Sequence, residues 1–156
     1  MSSSLMEVAM YHYTECGLGN VWLKNGYIEK DTPYGEAVSI HNVEQLHKLI
    51  GLQIVGAKPK LSEAEIRFFR VEMDLSQDDM ARLLGVGETT IRNWENGRVK
   101  IPGPAERLLR ALYKEFATGD GKVRSMIDEI NQMNRDTHRQ ERIEFEECDR
   151  GWCAAA

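Results

Sequence analysis

Residues 75–102 read LSQDDMARLLGVGETTIRNWENGRVKIP, and the punctuation of that stretch decides the fold. Ser76 with Asp79 three positions on marks a helix start. A serine hydroxyl accepts from a first-turn N–H, and an acid there faces the positive end of the helix dipole. Met80, Ala81, Leu83 and Leu84 follow at helical spacing, and Gly85 stops them. A second short helix starts near Glu88, carries Ile91 and Trp94 one turn apart, and stops at Gly97.

Two helices joined by three or four residues have the geometry of a helix-turn-helix. Ala81 sits where the helices cross closely, Val86 plugs the turn, and Ile91 and Trp94 anchor the second helix. Glu88, Thr89, Arg92, Asn93 and Asn96 then face outward. An exposed helix with short hydrogen-bonding side chains at its N-terminal end suits the major groove of DNA, where each base pair shows its own donor and acceptor pattern.

The run from Leu75 to Pro102 resembles the Xre, or Cro/cI-like, helix-turn-helix family in its Leu-Ser-Gln, its small residue at Ala81, its Leu-Gly-Val and its Trp-Glu-Asn-Gly. The likeness extends over roughly Leu61 to Phe116. It implies that Gln77 bonds a phosphate, helped by the helix N-terminus, and that Glu88, Thr89, Arg92 and Asn93 read bases. By chemistry, Thr89 suits a thymine methyl, Asn93 an adenine, Glu88 a cytosine amino group, and Arg92 a guanine or a phosphate. Asn96, Arg98 and Lys100 would hold the DNA backbone. The resemblance also implies that Glu95 pairs with Arg70 to orient the recognition helix. Glu88 has a second reading as a dipole partner at its helix N-terminus, Arg92 as a solvated charge, and Trp94 reads as core.

Outward from this module the chain changes character. Upstream, Leu61-Ser62 with Glu65 is a capping box, ahead of an apolar stripe through Ile66, Phe69, Val71 and Met73. Gly56 to Lys60 reads as a linker. Residues 9–40 alternate apolar and polar in bursts, and Asn25-Gly26 suits a two-residue hairpin turn. Pro33, Tyr34 and Gly35 break that pattern, and Val38 to Ile40 add a third strand. Asn42 then caps a helix to about Ile54, with Val43, Leu46, Leu49 and Ile50 on one face. Downstream, Pro102 to Pro104 open a helix to about Phe116. A last helix, Val123 to about Asn134, repeats Val123, Met126, Ile127, Ile130 and Met133 and either packs or dimerises. The burst Ile143 to Glu146 predicts one strand pairing with the N-terminal sheet.

The net charge of −5 over 156 residues hides segregation. Residues 1–56 carry 3 Lys/Arg against 6 Asp/Glu, and residues 118–156 carry 6 against 9. Residues 57–117 carry 11 against 10. Between Arg92 and Lys114 the basic residues Arg92, Arg98, Lys100, Arg107, Arg110 and Lys114 outnumber Glu88, Glu95 and Glu106, a local excess that attracts phosphate. No apolar span long enough for a membrane helix occurs, nor a basic-then-apolar leader, so the expected location is cytoplasmic. Cys16, Cys148 and Cys153 are an odd, sparse set and read as reduced thiols. His12, Cys16, His41 and His47 have the chemistry of a zinc site but no known pairing, and His138, Cys148 and Cys153 still less; no metal is expected. No glycine-rich phosphate loop or nucleophile elbow surrounds Ser39, Cys16 or Cys148, which leaves no cofactor and no enzyme in the reading.

The expected fold is α+β: a small antiparallel sheet plus helix (1–56), a five-helix Xre-type domain (57–118), and a C-terminal helix and tail (119–156) available for dimerisation. The expected function is sequence-specific binding of double-stranded DNA as a homodimer, acting as a repressor. An alternative comes from the layout, which is similar to antitoxins of the MqsA type. There the N-terminal region neutralises a basic toxin protein while the chain regulates its own operon. Those antitoxins carry two Cys-x-x-Cys pairs for zinc, and here only Cys16 lies in that region.

Overall fold

Capping chemistry sets the start of two helices. Ser62 accepts from the Glu65 N–H at 3.2 Å while the Glu65 carboxylate accepts from the Ser62 N–H at 2.8 Å, and α2 runs from Glu63 to Glu72. Ser76 and Asp79 repeat the device for α3, Gln77–Leu84, and the Ser76 hydroxyl and N–H hold the Asp79 carboxyl below its ordinary pKa. The computed structural model describes residues 9–133 and 142–155. In chain order it has β1 (Tyr11–His12), β2 (Trp22–Leu23), β3 (Tyr27–Thr32), β4 (Gly35–Ile40), α1 (Val43–Ala57), α2, α3, α4 (Glu88–Glu95), α5 (Gly103–Thr118), α6 (Lys122–Gln132), β5 (Phe145–Cys148) and β6 (Gly151–Ala154). This is the α+β arrangement expected; residues 57–118 hold four helices, α2 to α5, with α1 before them and α6 after.

The strands form three separate two-stranded antiparallel ribbons among the described residues: β1 with β2, β3 with β4, and β5 with β6. Asn25-Gly26 is therefore not a hairpin turn, since the strands it joins do not pair with each other. Gly26 has φ +82 and its carbonyl accepts from the His41 N–H at 2.8 Å, so the dipeptide redirects the chain between two ribbons. The hairpin turn lies at Pro33-Tyr34, where Thr32 pairs with Gly35. Proline fixes φ at the first loop position, Gly35 takes φ +117, and the Thr32 hydroxyl donates to the Gly35 carbonyl at 2.6 Å. The tail strand likewise pairs with its own neighbour rather than with the N-terminal sheet. Phe145 faces Ala154, and Cys148 faces Gly151. Local closure of a short hairpin costs less chain entropy than pairing across the chain. Cys148 and Cys153, expected as thiols, form a disulfide across this hairpin.

One core joins α1 to the helices after residue 57. Leu18, Ile54, Ile66, Phe69, Met80, Ile91, Trp94, Leu109, Leu112 and Tyr113 are all buried in it. The Gly56 to Lys60 segment thus connects elements that share a core. The inward face of α1 differs from the expected one. Leu49 and Val43 are exposed, while Gly51 and Ile54 are buried. Asn42 does occupy the cap position, but at φ 47 with its amide donating to Gln45, so it makes no cap bond to the backbone. Within α2, Val71 points to solvent and Phe68 takes its place in the core.

Gly51 explains the shift of face. A Cβ there would lie 2.1 Å from Cζ and Oη of Tyr113, which is fully buried and donates to the His47 carbonyl at 3.3 Å. Burial drives the Tyr113 pKa up to about 12, so the phenol stays neutral. Arg110 of α5 donates to the carbonyls of Val55 (3.0 Å) and Ile54 (3.4 Å), placing a cation on the C-terminal end of α1. Gly51→Ala is expected to force the Tyr113 ring aside and cost about 1–3 kcal/mol, as overpacked cores do, read as a lower urea midpoint. An unchanged midpoint would show that α1 is not held there.

At the other end, the Glu115 carboxylate accepts from the Val123 N–H at 2.9 and 3.1 Å and so caps α6. Asn131 donates to the Arg82 carbonyl at 3.0 Å, tying α6 to the end of α3. Val123 and Ile127 pack on the core, whereas Met126, Ile130 and Met133 are exposed. The helix ends at Gln132, and the expected extension to Asn134, like His138, lies outside the described residues.

Candidate nucleic-acid interface

The turn between α3 and α4 is built as glycine permits. Gly85 takes φ +71, the Val86 N–H donates to the Ala81 carbonyl at 2.9 Å, and Gly87 precedes the first turn of α4 in extended conformation. Ala81 is buried and Val86 packs on the core. Ile91 is 0% and Trp94 2% exposed, which fixes the rotation of α4 about its axis. Glu88, Thr89 and Arg92 are exposed on the opposite face and Asn93 is half-buried beside them. Glu88 and Arg92 lie one turn apart and pair at 3.4 Å. A surface pair of this kind is worth little, so both groups are free to exchange it for another partner.

The inner side of α4 is held by charge. Arg70 donates Nε to both Glu95 oxygens at 3.1 and 3.0 Å and Nη2 to Oε1 at 2.8 Å, and its Nη1 reaches the Leu75 carbonyl at 3.0 Å. The two side chains are only 14% and 6% exposed, so a planar guanidinium locks α2, the start of α3 and the end of α4 together. Gln77 donates to Glu95 Oε2 at 3.3 Å, which places its amide in this network at the foot of α3.

Past α4 the chain turns sharply. Asn96 accepts the Arg98 N–H on its side-chain oxygen at 3.1 Å, and the Asn93 carbonyl accepts from Arg98 and Val99 at 3.0 and 3.4 Å. Gly97 takes φ +77, and a Cβ there would come within 2.6 Å of Glu63 Oε1. This turn leaves Arg98 and Lys100 exposed, with no ion pair for either among the described residues. Glu88, Thr89, Arg92, Asn93, Asn96, Arg98 and Lys100 thus lie on one short stretch of chain spanning α4 and its exit.

One connection carried no sequence signal. His47 of α1 bonds Tyr13 Oη through Nε2 at 2.6 Å and Glu72 of α2 through Nδ1 at 2.6 Å. Burial raises the Tyr13 pKa. The three residues are 25 and 34 positions apart and fit no local spacing rule. They tether the N-terminal segment to α2 beside a cavity of about 750 Å³ that also touches Glu95 and Asn96. Two other residues weighed as metal ligands are engaged separately. His12 stacks on Trp22 at 4.0 Å and Cys16 Sγ donates to the Tyr13 carbonyl at 3.5 Å. Among the described residues no group of three or more His, Cys, Asp or Glu side chains is arranged to hold a metal. Nor is any described helix long and apolar enough to cross a membrane.

Residues 66–106 match the family model described as Helix-turn-helix. No curated protein and no solved structure matches the chain. The matched segment begins inside α2 and ends in the first turn of α5, so it holds the Arg70–Glu95 clamp, the Gly85 turn and the whole of α4. Over residues 66–106 the chain is similar to DNA-binding helix-turn-helix domains of the Xre type.

Proposed function

We propose that the chain is a sequence-specific transcriptional repressor that reads the major groove as a homodimer in the cytoplasm, by binding and without catalysis. The observation that carries the reading is the two-faced α4. Its Ile91/Trp94 side is buried, and its Glu88, Thr89, Arg92 and Asn93 side is turned to solvent at the N-terminal end that enters a groove. In this reading Gln77, Asn96, Arg98 and Lys100 hold phosphates, and Gln77 exchanges its bond to Glu95 for one. The dimer is supported by α6. Val123, Met126, Ile130 and Met133 recur at intervals of three and four, a coiled-coil seam, and the last three are exposed. Two-fold dimers meet half-sites about 34–36 Å apart, so a self-complementary helix outside the reading head fits the task.

The test is a fluorescence anisotropy titration on the upstream region of the gene and on random duplex at two salt concentrations. Arg92→Ala and Asn93→Ala are expected to cost about 1–3 kcal/mol on the preferred site and little on random DNA. Arg98→Ala should weaken both alike and reduce the salt slope by about 1. Equal losses on both duplexes for all three variants would remove the base-reading assignment.

A second reading, antitoxin, is favoured by the β3–β4 ribbon. Asp31 pairs directly with Glu36, and Glu29 stands on the same face two residues away. Like charges opposite each other destabilise a ribbon, and a basic partner would relieve them. Fully exposed Tyr34 sits at the tip. Co-purification of a small basic protein lost on Asp31→Lys would support this reading.

A further inference from the structure

Residues 142–155 form a two-stranded hairpin in which no residue is buried. Phe145 and Trp152, its largest apolar side chains, are 63% and 76% exposed. A lone two-stranded hairpin is marginal in water, because few apolar contacts offset the chain entropy it gives up. What distinguishes this one is the Cys148–Cys153 disulfide, spanning five residues with the Cα atoms 6.2 Å apart, a separation ordinary for such a bond. The register explains why the two sulfurs meet. Cys148 pairs with Gly151 and Glu146 with Cys153, so the cysteines are diagonal neighbours on one face of the ribbon, opposite Phe145 and Trp152. Gly151, at φ +108, lets the turn close between them.

We propose that Cys148 and Cys153 are a reversible thiol–disulfide site whose oxidation decides whether this hairpin is formed. The thiols expected from a reducing compartment and the disulfide observed are then the two ends of one equilibrium. The oxidant class is a small-molecule disulfide, for which glutathione disulfide serves as the probe. A thiolate of the pair attacks one glutathione sulfur, forming a mixed disulfide and expelling one glutathione thiolate. The second cysteine thiolate attacks the protein sulfur of that mixed disulfide and expels the other glutathione. Two electrons pass from the cysteines to the glutathione sulfurs, and the two cysteine protons end on the glutathione thiolates or in solvent. Both cysteines are half-buried in a hairpin without a buried residue, which leaves the reagent access, and the short span favours ring closure over a lasting mixed adduct. Cys16 stands apart in the N-terminal segment, a free thiol donating to the Tyr13 carbonyl.

The full chain would be equilibrated over a series of glutathione disulfide to glutathione ratios, with unreacted thiols counted by alkylation and mass spectrometry. Amide exchange of residues 145–154 would be followed in parallel. The expected result is three alkylable thiols at the reducing end and one, Cys16, at the oxidising end, without bound glutathione. Exchange of the strand amides should slow about tenfold or more with the same midpoint, because closing the loop removes open conformations. Cys153→Ser should hold those amides in fast exchange at every ratio. Equal protection in the reduced chain or in Cys153→Ser would overturn the proposal. So would persistent thiols at the oxidising end, a stable glutathione adduct, a bond involving Cys16, or chains linked to one another.

Discussion

Trp94→Ala is expected to unfold the helix-turn-helix domain, not only to weaken its grip on DNA. The indole is 2% exposed and lies one turn beyond fully buried Ile91, and these two side chains are the apolar anchors of α4. Removing a buried tryptophan costs about 3–5 kcal/mol, from lost transfer energy and from the cavity left behind. A domain of this size has only about 5–15 kcal/mol in hand. Urea denaturation followed by far-ultraviolet circular dichroism checks it, since fluorescence would mix Trp94 with Trp22 and Trp152. A variant that keeps its denaturation midpoint but loses DNA affinity would make the indole a contact residue instead.

Cutting the Arg70–Glu95 clamp on one side is the second large effect. Glu95→Ala leaves a guanidinium in a site where it is 14% exposed and satisfied only by the Leu75 carbonyl. A stranded, largely buried charge costs about 3–5 kcal/mol, and residual access to water puts this case at the lower end. Removing both partners, as in Arg70→Met with Glu95→Leu, should recover most of that loss, since an apolar pair of similar volume needs no desolvation compensation. DNA affinity should not recover in step, because the guanidinium fork, with its fixed geometry, sets the angle of α4 against α2. A double-mutant cycle in urea, run beside anisotropy on the preferred duplex, separates the two. Parallel recovery of both quantities would mean that the pair contributes stability alone.

What the sequence disclosed was whatever depends on neighbours along the chain. The capping boxes at Ser62/Glu65 and Ser76/Asp79 and the glycine stop at Gly85 need only residues three or four apart, and each forms as read. The helix-turn-helix followed from those same signals. Strand pairing was less legible because two turn signals competed. Asn25-Gly26 carries the favoured dipeptide, yet Pro33-Tyr34 closes the long ribbon, since among the described residues it is the turn with six-residue partners on either side. The face of α1 was misread because periodicity counts side chains, and the residue that decides it, Gly51, has none. Its role appears only once Tyr113 is seen lying against it. The Tyr13–His47–Glu72 tether was invisible for a similar reason: the loop after β1, α1 and α2 bring it together and no two of its members are near in sequence.

The place of α1 has a practical side. Tyr113, Ile54 and the Arg110 bonds to the end of α1 mean that the reading head does not stop where its family resemblance stops. A fragment trimmed to the matched residues would lose Ile54 with α1 and Leu109, Leu112 and Tyr113 with most of α5, and so two walls of the interior. Any excision of the DNA-binding part for biophysical work should therefore begin before Asn42.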